Sequence, residues 1–133
     1  MKYQVKAGKE FPVDEPKVVF RETPLFKETL AKHKQAIGGK LKEFIAVKSA
    51  DPLAKFGGKD QHFISTGILV KTGLIHAHLT HDISILYKRS GKNPTYIDLY
   101  AIATHDELGT GQPANIKTQK NMTKKLIDQE VVA

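Results

Sequence analysis

LIHAHLTHDISILYK, residues 74–88, decides how this chain folds. Leu74-Ile75-His76-Ala77-His78-Leu79 has a strand-like pattern, Thr80-His81-Asp82 has the polar composition of a turn, and Ile83-Ser84-Ile85-Leu86-Tyr87-Lys88 resumes the strand. Two strands joined by so short a turn run antiparallel. Working outward, Lys92-Asn93-Pro94 turns the chain again, and Thr95 to Ala103, rich in Tyr, Ile and Leu, makes a further strand. On the upstream side, His62-Phe63-Ile64-Ser65 and Ile68-Leu69-Val70-Lys71 read as two strands around Thr66-Gly67, with Gly73 marking the next bend. The second half is therefore expected to be an antiparallel meander.

The first half has a different period. Val18-Val19-Phe20 is a short β-branched and aromatic run, ended by Thr23-Pro24, a helix-opening pair. From Pro24 to Lys48, Leu25, Phe26, Leu30, Ile37, Leu41, Phe44, Ile45 and Val47 keep the three-and-four spacing of amphipathic helices. Gly38-Gly39 interrupts it, and each glycine costs about 1 kcal/mol in a helix interior, so two antiparallel helices are expected rather than one. Lys27, Lys32, Lys34, Lys40, Lys42 and Lys48 would form their solvated outer face. Residues 1–16 lack a clear period and read as an arm or a poorly ordered strand. At the other end, Gln112-Pro113 can open a last helix carrying Ile116, Met122, Leu126 and Ile127, made basic by Lys117, Lys120, Lys124 and Lys125. A docked helix, a mobile tail and an RNA-contacting arm all fit that pattern.

A length of 133 residues suits one core with appendages. No cysteine is present, so disulfides, thiolate metal sites and thiol nucleophiles are excluded. No apolar run approaches the ~20 residues of a membrane span, and a cytoplasmic location without membrane association is expected. Lys and Arg total 21 against 14 Asp and Glu, a net charge of +7, with arginine only at positions 21 and 89. A polyanion is a natural partner for such a chain, although a Lys-rich solvated surface accounts for the same excess.

Of the six histidines, His76, His78, His81 and His105 lie between positions 76 and 105, with Asp82 and Asp106 beside two of them. On an extended strand His76 and His78 face the same side, and the turn can bring Asp82 back towards His78. His105 follows a strand end at Thr104. Metal-free RNA cleavage needs a base for the 2′-hydroxyl, an acid for the leaving 5′-oxygen, and charge or donors for the phosphorane-like transition state. Imidazoles with an unperturbed pKa of ~6.5 serve both proton transfers, and an adjacent carboxylate can orient one of them. The rival reading is a metal site, since His-X-His with Asp82 and His105 offers three or four nitrogen and oxygen ligands. It ranks below acid–base use because no fuller spacing motif accompanies it. His33 and His62 stand alone and read as surface or edge residues. Gly57-Gly58-Lys59 and Gly109-Thr110-Gly111 lack a complete phosphate-loop fingerprint and read as turns.

The block from His78 to Lys88 resembles the pattern of YafQ-type toxins of the RelE/ParE superfamily: His, three residues, Asp, then an apolar strand ending in Tyr-Lys. Leu99-Tyr100-Ala101-Ile102-Ala103-Thr104-His105-Asp106-Glu107-Leu108 is similar to that family's closing strand and Thr-His-x-x-Leu ending. The likeness extends loosely from Lys17 to Leu108. It implies an α+β fold with two N-terminal helices on a curved antiparallel sheet, here with an added hairpin and a C-terminal helix. The expected division is an arm at 1–16, a catalytic domain at 17–112 and a helical extension at 113–133.

The resemblance further implies an endoribonuclease that cleaves mRNA on the ribosome, needs no cofactor or metal, and is neutralised by a cognate antitoxin. His78, Asp82 and His105 match the family's catalytic positions. His105 and Asp82 are expected as the proton-transfer pair, with His78 on the phosphate, and these roles can exchange. His76 and His81 are supporting candidates. Asp51 stands where the pattern has a further His, and Ala101 where it has a basic residue, so transition-state charge is assigned to Lys88 or Arg89. The alternative implied by the same scaffold is a non-catalytic ParE-like binder of DNA gyrase or another partner.

Overall fold

The structure is a computed structural model that describes residues 2–6, 9–13, 17–57, 59–64 and 67–130. Strands β1 (Lys2–Lys6) and β2 (Lys9–Val13) form a separate antiparallel hairpin in the segment expected to be an arm or a poorly ordered strand. The main sheet has five strands, β3 (Val18–Glu22), β4 (Asp60–His62), β5 (Ile75–His78), β6 (Ile83–Ser90) and β7 (Thr95–Thr104), in the order β3-β7-β6-β5-β4. Among the described residues four α-helices accompany it: α1 (Pro24–Ile37), α2 (Lys40–Ala50), α3 (His105–Leu108) and α4 (Ile116–Ile127). The α+β class is as expected, and among the described residues no helix is long and apolar enough to cross a membrane.

The expectation of a wholly antiparallel sheet is corrected, because β3 pairs in parallel with β7. β3 is the first strand of this sheet in the chain but docks beside the last, and local turn signals cannot encode a pairing that distant. Arg21 and Asp98 hold its register, with Nε to Oδ1 at 2.6 Å and Nη2 to Oδ2 at 2.9 Å. Thr23 then starts α1 by accepting from the Phe26 N–H at 3.0 Å, while its hydroxyl donates to the Tyr100 carbonyl at 2.9 Å. Gly38, with φ +54°, breaks the helical path between α1 and α2 where a side chain would be strained.

The hairpin expected from 62–65 and 68–71 is also corrected. Leu69–Thr72 is a single 3₁₀ turn, and the short β4 pairs instead with β5; Ser65 and Thr66 lie outside the described residues. A strand would point Leu69 and Thr72 to opposite faces, whereas both are buried and Val70 is exposed. Thr72 closes the turn by donating to the Leu69 carbonyl at 2.7 Å.

Alternation along β5 and β6 creates two cores. Ile75, Ala77, Ile83, Ile85 and Tyr87 face α1 and α2, where they meet Phe26, Ile37 and Phe44. Leu86, Ala101 and Ala103 face the other way, under Phe63, Leu69, Leu74, Leu108 and Leu126 of α4. A register shift beside Leu86/Tyr87 leaves Tyr100 as the extra residue of β7, and Tyr100 and Ala101 both belong to the second core. Helix α4 is thus docked on the sheet, its Gln119 donating to the Gly109 carbonyl at 2.9 Å.

Two side chains read as surface residues are buried. Lys48, assigned to the outer helix face, is 1% exposed and bonds Asp60 at 2.5 Å. His33 lies against Glu107, Nε2 to Oε1 at 2.7 Å. In each case a carboxylate from a distant segment, buried Asp60 or half-buried Glu107, supplies the partner that makes burial tolerable.

Candidate functional site

His76 and His78 point from β5 into the second face because Ile75 and Ala77 are committed to the helix side. The turn after β5 is closed by the Ile83 N–H donating to the Thr80 hydroxyl at 3.1 Å, and by the Leu79 N–H donating to the Ile83 carbonyl at 2.8 Å. Across the β5–β6 ladder His78 pairs with Ser84, which in turn pairs with Ala103 of β7. Two residues further, the chain reaches His105.

His105 opens α3 rather than lying on a loop. Thr104 caps this helix and Glu107 returns a bond to the Thr104 N–H at 2.9 Å, a reciprocal pair that satisfies two backbone donors. Glu107 also accepts from Lys32 at 2.5 Å and meets His33, so α1 braces the helix that carries His105. Burial opposes charge on Glu107, but Lys32, the Thr104 backbone and His33 outweigh it and hold the carboxyl down at about 2. Gly109, at φ +79°, lets the chain turn out of α3 where an added Cβ would lie 2.5 Å from the Asn115 carbonyl oxygen.

These elements surround an open cleft of about 250 Å³ lined by His76, His78, His105, Ser84, Lys59 and Gln61, with Phe63, Ile64, Leu108 and Thr110. The His78 and His105 rings meet edge to face at 5.4 Å, and the His76 and His78 centroids are 6.3 Å apart. His105 Nδ1 lies 3.3 Å from Asp82 Oδ1, and the His105 N–H donates to the Asp82 carbonyl at 3.3 Å. Asp82 therefore turns towards His105, not back to His78. Burial lowers the pKa of His78, and the positive neighbours His105, Lys59 and His81 add to the effect. Burial also lowers that of His76, with His78 next.

The structure brings together His76, His78, Asp82 and His105. His81 is exposed on the turn and acts on His78 at a distance. Lys88 and Arg89 are not at the cleft: four and five residues beyond Ser84 on β6, they are displaced by about 13–17 Å. Lys88 lies over the Tyr100 ring at 5.2 Å and Arg89 donates to the Pro52 carbonyl at 3.3 Å. The structure does not bring them to the histidines that were expected to share their site. The cation that lines the cleft is Lys59, passed over because its Gly57-Gly58 prefix fails as a phosphate fingerprint; Gly58 lies outside the described residues. Ser84 was legible in principle, since counting outward from the 80–82 turn pairs it with His78. Among the described residues, no three His, Asp or Glu side chains converge as a metal-ion site.

No protein-family model matches this chain, and no curated protein matches it.

Proposed function

We propose that the chain is a metal-independent endoribonuclease of the RelE/ParE, YafQ-like kind. The observation that carries this reading is the convergence of His78 and His105 at an open cleft, with Asp82 on the far nitrogen of His105. Asp82 Oδ1, 3.3 Å from Nδ1, orients the ring, and as the acid His105 enters the step carrying a proton on Nε2. His78, whose pKa is lowered, is neutral at pH 7 and suited to take the proton of the 2′-hydroxyl. The 2′-oxygen attacks phosphorus, the bond to the 5′-oxygen breaks, and His105 protonates that leaving oxygen. The products are a 2′,3′-cyclic phosphate and a 5′-hydroxyl. Lys59 supplies positive charge to the phosphorane-like transition state.

Within this reading the substrate is mRNA on the ribosome and the physiological inhibitor is a cognate antitoxin protein. The decisive experiment maps RNA ends by primer extension after incubating purified protein with transcripts, with and without ribosomes and in excess chelator. Cyclic-phosphate ends that survive chelation are expected. His105→Ala should lose about 10²–10⁴-fold in rate, and Asp82→Asn a smaller factor. Intact RNA under every condition would remove the proposal.

A further inference from the structure

The proton-transfer groups fill only one end of the cleft. From His105 the rings continue through His78 and His76 to Phe63, which stacks on His76 at 4.3 Å with the planes 5° apart. Beside Phe63, Ile64 is 75% exposed at the cleft wall, an uncovered apolar side chain next to a row of π faces. Lys59 and Gln61 stand on the same side, offering a cation and an amide. On the floor, the Ser84 hydroxyl is buried and has no hydrogen-bond partner among the described residues. Such a group gains from a ligand that engages it.

We infer that segment 59–64 builds a subsite for one unpaired nucleobase flanking the scissile phosphate, with exposed Ile64 and the His76 ring, backed by buried Phe63, against the base and Lys59 on the neighbouring phosphate. This rests on the cleft being an RNA-cleaving site. A volume of about 250 Å³ suits a single nucleotide rather than a duplex, and single-stranded RNA is read by splaying bases out onto aromatic and apolar side chains. Burial keeps the His76 ring in its neutral form, which suits it to stacking. Purines, with the larger stacking surface, should be favoured over pyrimidines.

The test follows histidine imidazole NMR signals in the full chain on titration with 3′-AMP, 3′-CMP and inorganic phosphate. The expected result is that phosphate perturbs His78 and His105 alone, that 3′-AMP perturbs His76 as well, and that 3′-AMP binds more tightly than 3′-CMP. Replacing exposed Ile64 in Ile64→Ser should weaken 3′-AMP by about 5-fold or more without altering phosphate binding. Equal binding of 3′-AMP and phosphate, or an unchanged 3′-AMP affinity in Ile64→Ser, overturns the subsite. Nucleotide binding of the expected pattern in a protein that cuts no RNA would uphold the subsite and sink the cleavage reading, so the two fail separately.

Discussion

On the helix-covered face of β4 to β6, Lys48, Asp60 and Tyr87 form a sealed polar cluster; on the opposite face of the same strands, His76, His78 and Ser84 line an open one. In the sealed cluster every group has its partner. Lys48 donates to both Asp60 and the Ala54 carbonyl, the Tyr87 hydroxyl donates to Asp60, and the Phe56 N–H adds a bond at 2.8 Å. Burial, reinforced by Asp60, pushes the Tyr87 phenol far up, so it stays a neutral donor. The open cluster holds imidazoles with lowered pKa, a hydroxyl without a partner among the described residues and a carboxylate that is 60% exposed. Polar groups that satisfy one another fix a structure, and groups left unsatisfied beside open space are available to a ligand.

The comparison is broken most severely by removing one partner from the sealed side. Lys48→Met leaves the Asp60 carboxylate buried without its cation and should cost about 3–5 kcal/mol, measured by urea denaturation. A cost below about 1 kcal/mol would show that the cluster is not what holds β4 against α2. By contrast, His105→Ala on the open side should change stability by no more than about 0.5 kcal/mol.

A smaller effect is expected at Glu107, which joins the open site to the helix layer. Glu107→Gln weakens the contacts to Lys32 and His33 and should destabilise by about 1–2 kcal/mol. Because the native carboxyl is held at about 2 against an ordinary 4.5, its stabilisation is fully present above pH 4.5 and is lost as pH falls through about 2. The gap in denaturation midpoint between native protein and Glu107→Gln should therefore be narrower at pH 3 than at pH 7.

The smallest effect sharpens the open side. The pKa of His78 lies below 6.5, so its neutral form predominates at neutral pH. Its contribution to stability is complete above pH 6.5 and falls away as pH drops through the lowered folded value. Lys59→Met removes one of the repelling charges, and an NMR titration should show the His78 midpoint move up towards 6.5. A midpoint that stays put would separate Lys59 from the cleft.

Much of the site could be read without coordinates because strand alternation and a short turn are local. His76 and His78 on one face and a strand ending at Thr104-His105 follow from the order of residues. The misreadings share one cause. Lys48 and His33 look like solvated helix residues until Asp60 and Glu107 arrive from elsewhere in the chain, and Lys88 and Arg89 look close to the histidines in sequence although strand rise carries them away.

What the sequence by itself determined is the α+β division, the two helices about Gly38-Gly39, the β5–β6–β7 meander and the inventory of histidines, all of which depend on neighbours a few residues apart. Only the tertiary structure decided the parallel docking of β3, the burial of Lys48 and the pairing of Asp82 with His105. Those outcomes depend on which distant carboxylates and apolar surfaces meet, and the free energy of burying a charge or closing a sheet edge is set by that meeting.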